Sequence, residues 1–263
     1  TPSVLYGQDS LAYETYAPNS PAPGAGFDGC SISQRGRFPL GTKLVLQDGR
    51  AFRFGLNGAS TAVVGDVHQT PVVITTDVDL TPTAISTTVN FVGARTVFFT
   101  HGSATTAQNY LAEGSVIMSL APGGGHTYKI AAHPALTNGG TGEFVRLAPG
   151  HAIREAITTT TDIDLIPQTY ASTIQMAATI TGAPVGVCVS ATTANYFHWL
   201  ATQGLCGTLS SASLTIGSPA VMLLSGGTAG SVAPAGAATN PVVGKVVRIA
   251  GATEFSSIFL TLE

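Results

Sequence analysis

The chain has 263 residues, enough for one large or two modest domains, but only 10% of them are charged against 44% hydrophobic. A net charge of −3, with no Lys/Arg cluster beyond Arg35 and Arg37, argues against nucleic-acid binding, and no apolar run reaches the ~20 residues of a membrane span. So sparsely charged a surface is expected to be covered in part by partner subunits.

The opening residues, TPSVLYGQDS, lack the basic flank and apolar core of a secretory signal. Residues 1–38 read as an extended N-terminal arm, because Tyr6, Tyr13, Tyr16 and Phe27 stand among prolines and glycines with no period that buries one face. Such a segment is either a disordered leader or an arm that lies on a neighbouring subunit, its aromatics serving as partner-binding anchors.

Regular structure begins at FPLGTKLVLQDGRAFRFGLNG, where Asp48-Gly49 separates two β-forming runs and signals a hairpin with Val45 facing Phe52. Further strands are expected at 72–75, 96–100, 115–120, 127–132, 185–190, 197–202, 220–224, 242–250 and 257–262. Ala121-Pro-Gly-Gly-Gly125 breaks the third from the fourth. Helical periodicity is confined to short stretches near 104–113 and 168–176. The expected class is all-β: two tandem β-sandwich or β-barrel modules, residues 39–155 and 156–263, behind the arm.

Internal matches suggest the tandem arrangement. Asp77-Val-Asp79-Leu80 recurs as Asp162-Ile-Asp164-Leu165, SATTA occurs at Ser103–Ala107 and again at Ser190–Ala194, and LAEG (111–114) aligns with ATQG (201–204). The three matches keep their order at slowly growing intervals, as a duplication with small insertions would leave them. Small Ser, Thr and Ala residues suit a connection between strands, so SATTA reads as structural rather than reactive.

Little conventional chemistry is visible. Asp77/Asp79 and Asp162/Asp164 could each turn two carboxylates to one side of a strand and hold a divalent cation, or could be solvated strand-edge acids. His68, His101, His126, His133, His151 and His198 show no metal-ligand spacing, and Cys30, Cys188 and Cys206 show neither CxxC spacing nor an even count. Gly24–Gly29 matches GxGxxG but follows no strand and opens no helix. No catalytic residue, cofactor or resident metal is therefore expected, and the protein reads as a non-enzyme.

The C-terminal 80 residues or so, with Tyr196-Phe197-His198-Trp199, the GSP-x-VMLL strand and Asn240-Pro241-Val242-Val243-Gly244, resemble structural proteins of tailed-bacteriophage virions, of the capsid decoration (cement) type. The FPLGTKLVLQDGRAFRF hairpin shares the resemblance more loosely. It implies a β-rich module on the capsid surface of the virion, bound to the major capsid protein and stabilising the icosahedral shell as a dimer or trimer. A competing expectation is an adhesion module that binds host glycans through Tyr110, Tyr196 or Trp199. A β-rich hydrolase with a site assembled from distant residues is a third.

Overall fold

Alternation of apolar and polar residues with a period of two commits most of this chain to half-buried strands. The computed structural model describes residues 4–7 (backbone only), 38–83, 89–222, 228–236, 240–251 and 254–263. In chain order these hold β1 (Val4–Gly7), β2 (Lys43–Leu46), β3 (Ala51–Leu56), β4 (Val67–Gln69), β5 (Thr96–Phe99) and β6 (Ser115–Met118). Then follow β7 (Thr127–Ala132), β8 (Glu143–Leu147), β9 (Ile163–Ile166), β10 (Ile174–Gln175) and β11 (Pro184–Cys188). The last are β12 (Phe197–Leu209), β13 (Pro219–Val221), β14 (Ala233–Pro234), β15 (Val242–Arg248) and β16 (Phe255–Thr261). The protein is all-β; among the described residues the one helical element is a 3-10 turn at Thr75–Asp77.

The two compact units do not meet near residue 155. Unit 1 comprises residues 1–72 and 169–263, and unit 2, residues 73–168, is inserted between its halves in the sequence. The reason lies in β9, the DIDL segment expected to open the second module. It pairs antiparallel with β6, and Ile163 and Leu165 are fully buried beside Val116 and Met118. DVDL belongs to the same unit: Leu80 and Ile163 exchange backbone hydrogen bonds of 2.9 and 3.0 Å. The two SATTA segments fall in different units, between β5 and β6 and between β11 and β12. The expected duplication thus finds no counterpart in this division.

In the inserted unit a five-stranded sheet runs β5-β8-β7-β6-β9. The discontinuous unit holds an 11-stranded sheet whose main path is β1-β2-β3-β12-β16-β15-β13-β14, with β4, β10 and β11 off it. Its core gathers Phe52, Phe54, Trp199, Val187, Ile258 and Leu260, with Phe38 set edge-on to Phe54 at 5.5 Å. β12 is 13 residues long and has a bulge between Ala201 and Gln203; one edge pairs with β3 as far as Gln203, and on the other β16 takes over from β11 there. The bulge bends the strand and turns the sheet.

The hairpin at Asp48-Gly49 forms, with Gly49 at φ +85°. Its register places Leu44, not Val45, opposite Phe52, because the ladder closes from Leu46 N–H to the Arg50 carbonyl across a longer loop. Neither expected helix forms. Asn109 and Glu113 take φ of 58° and 63° within 104–113, and 168–176 is a turn leading into β10. Residues 72–75 are not a strand: Val72 and Val73 are exposed, and the 3-10 turn follows.

Unit 1 contains a local two-fold relation that the sequence comparison did not expose. Segments 58–68 and 188–198 cross where Ala62 and Thr192 exchange hydrogen bonds of 2.8 and 3.1 Å. Gly65 N–H donates to the Cys188 carbonyl at 2.7 Å, and Asn195 N–H donates to the Gly58 carbonyl at 2.9 Å. Gly65 and Asn195 both have positive φ, and each is followed three residues on by a buried histidine, His68 or His198.

The insertion predicts that residues 73–168 expressed alone fold cooperatively, with β-type circular dichroism and a single denaturant transition. Residues 39–155, which lack β9 and split unit 1, are expected to show no such transition. The reverse result would restore the tandem division.

Candidate interaction surface

The outer face of β12, β16 and β15 is built by alternation. Along β16, Ser256, Ile258 and Leu260 point into unit 1, so Phe255 and Phe259 point out, 51% and 47% exposed. Past its bulge β12 turns Leu205 out at 52%, directly opposite Phe259, and Phe259 in turn faces Lys245 of β15. Val247, also exposed, and Arg248 continue this side beyond a bulge. An exposed aromatic and aliphatic stripe edged by cations has the composition of an interface centre rather than of a solvated sheet face.

Clefts flank Leu205. One of about 630 Å³ is lined by Asp48, Gly49, Arg50, Gln203, Leu205 and Phe259. The other, of about 290 Å³, is lined by Arg50, Val64, Val189, Leu205, Gly207 and Phe255 among others. Arg50 stands between them. Its guanidinium lies 5.8 Å from the Phe52 ring centroid and binds Asp48 Oδ2 at 2.6 Å, and the Arg50 amide with this guanidinium holds the Asp48 carboxyl below the usual carboxylate range. Two glycines shape the surface. At Gly204, φ +91°, a Cβ would stand 2.8 Å from Arg50 Cγ, and at Gly65 one would stand 2.3 Å from the Phe255 ring, so the ring lies flat on bare backbone.

At the margin of the sheet, Glu263 ties β2 to β3. Arg53 Nε and Thr202 Oγ1 each reach its Oε1 at 2.8 Å, and Lys43 Nζ meets Oε2. Burial alone would raise this carboxyl, but the three donors hold it below its ordinary value. β1, within the expected arm, runs parallel to β2 with Tyr6 at the register position of Val45. Tyr13, Tyr16 and Phe27, the other proposed anchors, lie outside the described residues.

The acidic pairs do not act as pairs. Asp77 is buried in the inserted unit, where its Oδ1 meets His101 Nε2 at 2.7 Å and accepts from Thr106 Oγ1 at 3.1 Å. His101 Nδ1 faces the Thr137 carbonyl at 3.1 Å, so both ring nitrogens look at oxygen acceptors. Gly102 permits the approach, since a Cβ there would collide with the Thr76 carbonyl at 2.3 Å. Asp79, at φ 53°, instead donates its amide to Asp164 Oδ1 at 2.9 Å. Among the described residues no group of three His, Cys, Asp or Glu is placed to hold a metal ion.

SATTA contributes scaffolding. Thr106 and Thr192 both form backbone bridges and both precede an asparagine of positive φ, Asn109 and Asn195. They are the fourth residue of one motif and the third of the other, so the shared geometry is out of step with the shared letters. His133 is likewise committed: Leu111 N–H donates to its Nε2 at 2.9 Å, and Nδ1 meets the Pro134 carbonyl at 2.6 Å. Burial lowers its pKa. Of the three aromatics considered for glycans, Trp199 is 1% exposed and belongs to the core, while Tyr110 and Tyr196 are half-buried.

No protein-family model, curated protein or solved structure matches this chain.

Asp77→Ala leaves buried His101 without its acceptor, and is expected to cost the inserted unit about 3–5 kcal/mol in urea unfolding. A loss below about 1 kcal/mol would show that the pair does not hold the 3-10 turn to the strand connection.

Proposed function

We propose that the protein is a non-enzymatic virion structural protein, a decoration protein that binds the major capsid protein on the capsid surface and stabilises an icosahedral bacteriophage shell. The observation that carries this reading is the Leu205–Phe255–Phe259 stripe. Three large apolar side chains, about half exposed, share one sheet face with Lys245 and Arg248. A surface of this composition is stabilised by contact with another protein, since each fully buried large side chain contributes roughly 1.5–3 kcal/mol. The low charge of the chain and the resemblance of its C-terminal segments to cement proteins favour a shell as that partner. Dimers or trimers on the shell would multiply a modest single contact into durable attachment.

The reading is tested by co-sedimenting the full chain with purified shells and following shell melting. The expected result is saturable binding with a higher shell melting temperature. Leu205→Asp and Phe259→Asp are each expected to weaken binding at least tenfold while leaving the protein's own unfolding midpoint within a few degrees, because neither side chain is in the core. Absence of shell binding together with saturable binding to host envelope glycans would replace this reading by the adhesion module.

A further inference from the structure

The crossing of segments 58–68 and 188–198 brings two histidines face to face. His68 of β4 and His198 of β12 are both 0% exposed, with ring centroids 5.6 Å apart and planes at 64°. They lie away from the Trp199 core, on the side where Ala62, Val185, Cys188 and Leu200 form a small second core with Tyr170 against it. Among the described residues neither ring nitrogen of His68 has a hydrogen-bond partner, nor has His198 Nε2. His198 Nδ1 faces Cys188 Sγ at 3.9 Å, and that thiol donates to the Ser190 carbonyl at 3.0 Å.

Among the described residues, the elements packed around the pair set no carboxylate against either ring. His68 stands opposite Gln175 of β10 and Gly186 of β11, and His198 opposite Gly55 of β3. Asp66, two residues before His68, receives Gln175 Nε2 at 2.5 Å, and burial raises its pKa. Arg53, on the Gly55 side of β3, is held by Glu263 at 2.8 Å and by the Gly41 carbonyl at 2.7 Å. Burial likewise raises the Tyr170 phenol, which stays neutral. Among the described residues a proton on either imidazole has no carboxylate to meet, and protons on both set like charges against each other in a buried site.

We propose that the His68–His198 pair is an acid-operated release at this crossing: proton uptake parts β4 and β11 from β12, opens the second core and exposes Cys188. The inference goes beyond the capsid reading and does not depend on it. Burial holds His68 at about 4; burial, with the charge of His68 adding, holds His198 at about 3, against an ordinary 6.5. The opened segments therefore bind protons that the closed ones refuse. The advantage of the closed form is complete above about pH 6.5 and is lost as pH falls from there toward 4.

The test uses the full chain carrying Cys30→Ser and Cys206→Ser, so that Cys188 is the sole thiol. Its reaction with 4,4′-dithiodipyridine is followed from pH 7.5 to 4.5 and normalised to a free thiol. The expected rate rises with acidification below pH 6.5, approaching 100-fold per pH unit where both groups take up protons. His68→Gln and His198→Leu, made singly, are each expected to cut the slope to about tenfold per unit. Asp66→Asn is expected to leave it unchanged. If a histidine variant does not fold, the parent and Asp66→Asn profiles still decide. A flat parent profile, a slope kept by both histidine variants, or a slope abolished by Asp66→Asn would overturn the proposal.

Discussion

Halfway along its length β12 exchanges β11 for β16 on one edge and, at Gln203, ends its pairing with β3 on the other, and most of unit 1 is arranged around that point. Before the bulge its alternation sends Trp199 and Ala201 to one core and His198 and Leu200 to the other, so the strand is buried on both faces. After the bulge one face remains in the core and the other carries Leu205 to solvent. A single continuous backbone thus joins a doubly covered sheet to a singly covered one. The stripe lies on the stretch of β12 that pairs with β16, and the histidine crossing on the stretch whose edge pairs with β11.

Two buried polar arrangements in the chain show opposite solutions to one problem. At Asp77–His101 every donor meets an acceptor, so the group is stabilising in place and costly only when halved. At His68–His198 three nitrogens meet no partner among the described residues, and the cost of burial is carried by the surrounding apolar contacts. The first arrangement fixes a connection in unit 2. The second leaves unit 1 sensitive to its medium at one place.

Strands rich in β-branched and aromatic residues were legible in the sequence: β5, β6, β7, β15 and β16 lie within a few residues of expectation, as does the Asp48-Gly49 turn. β8 was missed because Glu143 and Arg146 interrupt its apolar pattern. β12 extends to Leu209, past the expected end at 202, and in the sheet Gly204 makes room for Arg50. Residues 104–113 have helical spacing, but left-handed turns at Asn109 and Glu113 override it. The stripe could not be read ahead of the fold, since β16 places large apolar side chains on both faces and alternation alone does not say which is outside. The Asp77–His101 contact joins residues that no motif connects, and three of the four anchors expected in the arm fall outside the described residues.

The placement of residues 73–168 inside unit 1 has a kinetic meaning. β3 and β12 are neighbours in the sheet but are separated along the chain by the whole insertion, so their pairing has a high contact order and forms slowly. The inserted unit closes on itself with contacts that are local by comparison. During synthesis it emerges complete before β12 exists, and domains that emerge first fold first. The middle of this polypeptide therefore folds ahead of both its ends, and until β12 through β16 arrive, β2 and β3 remain an unfinished sheet edge exposed to association with other chains.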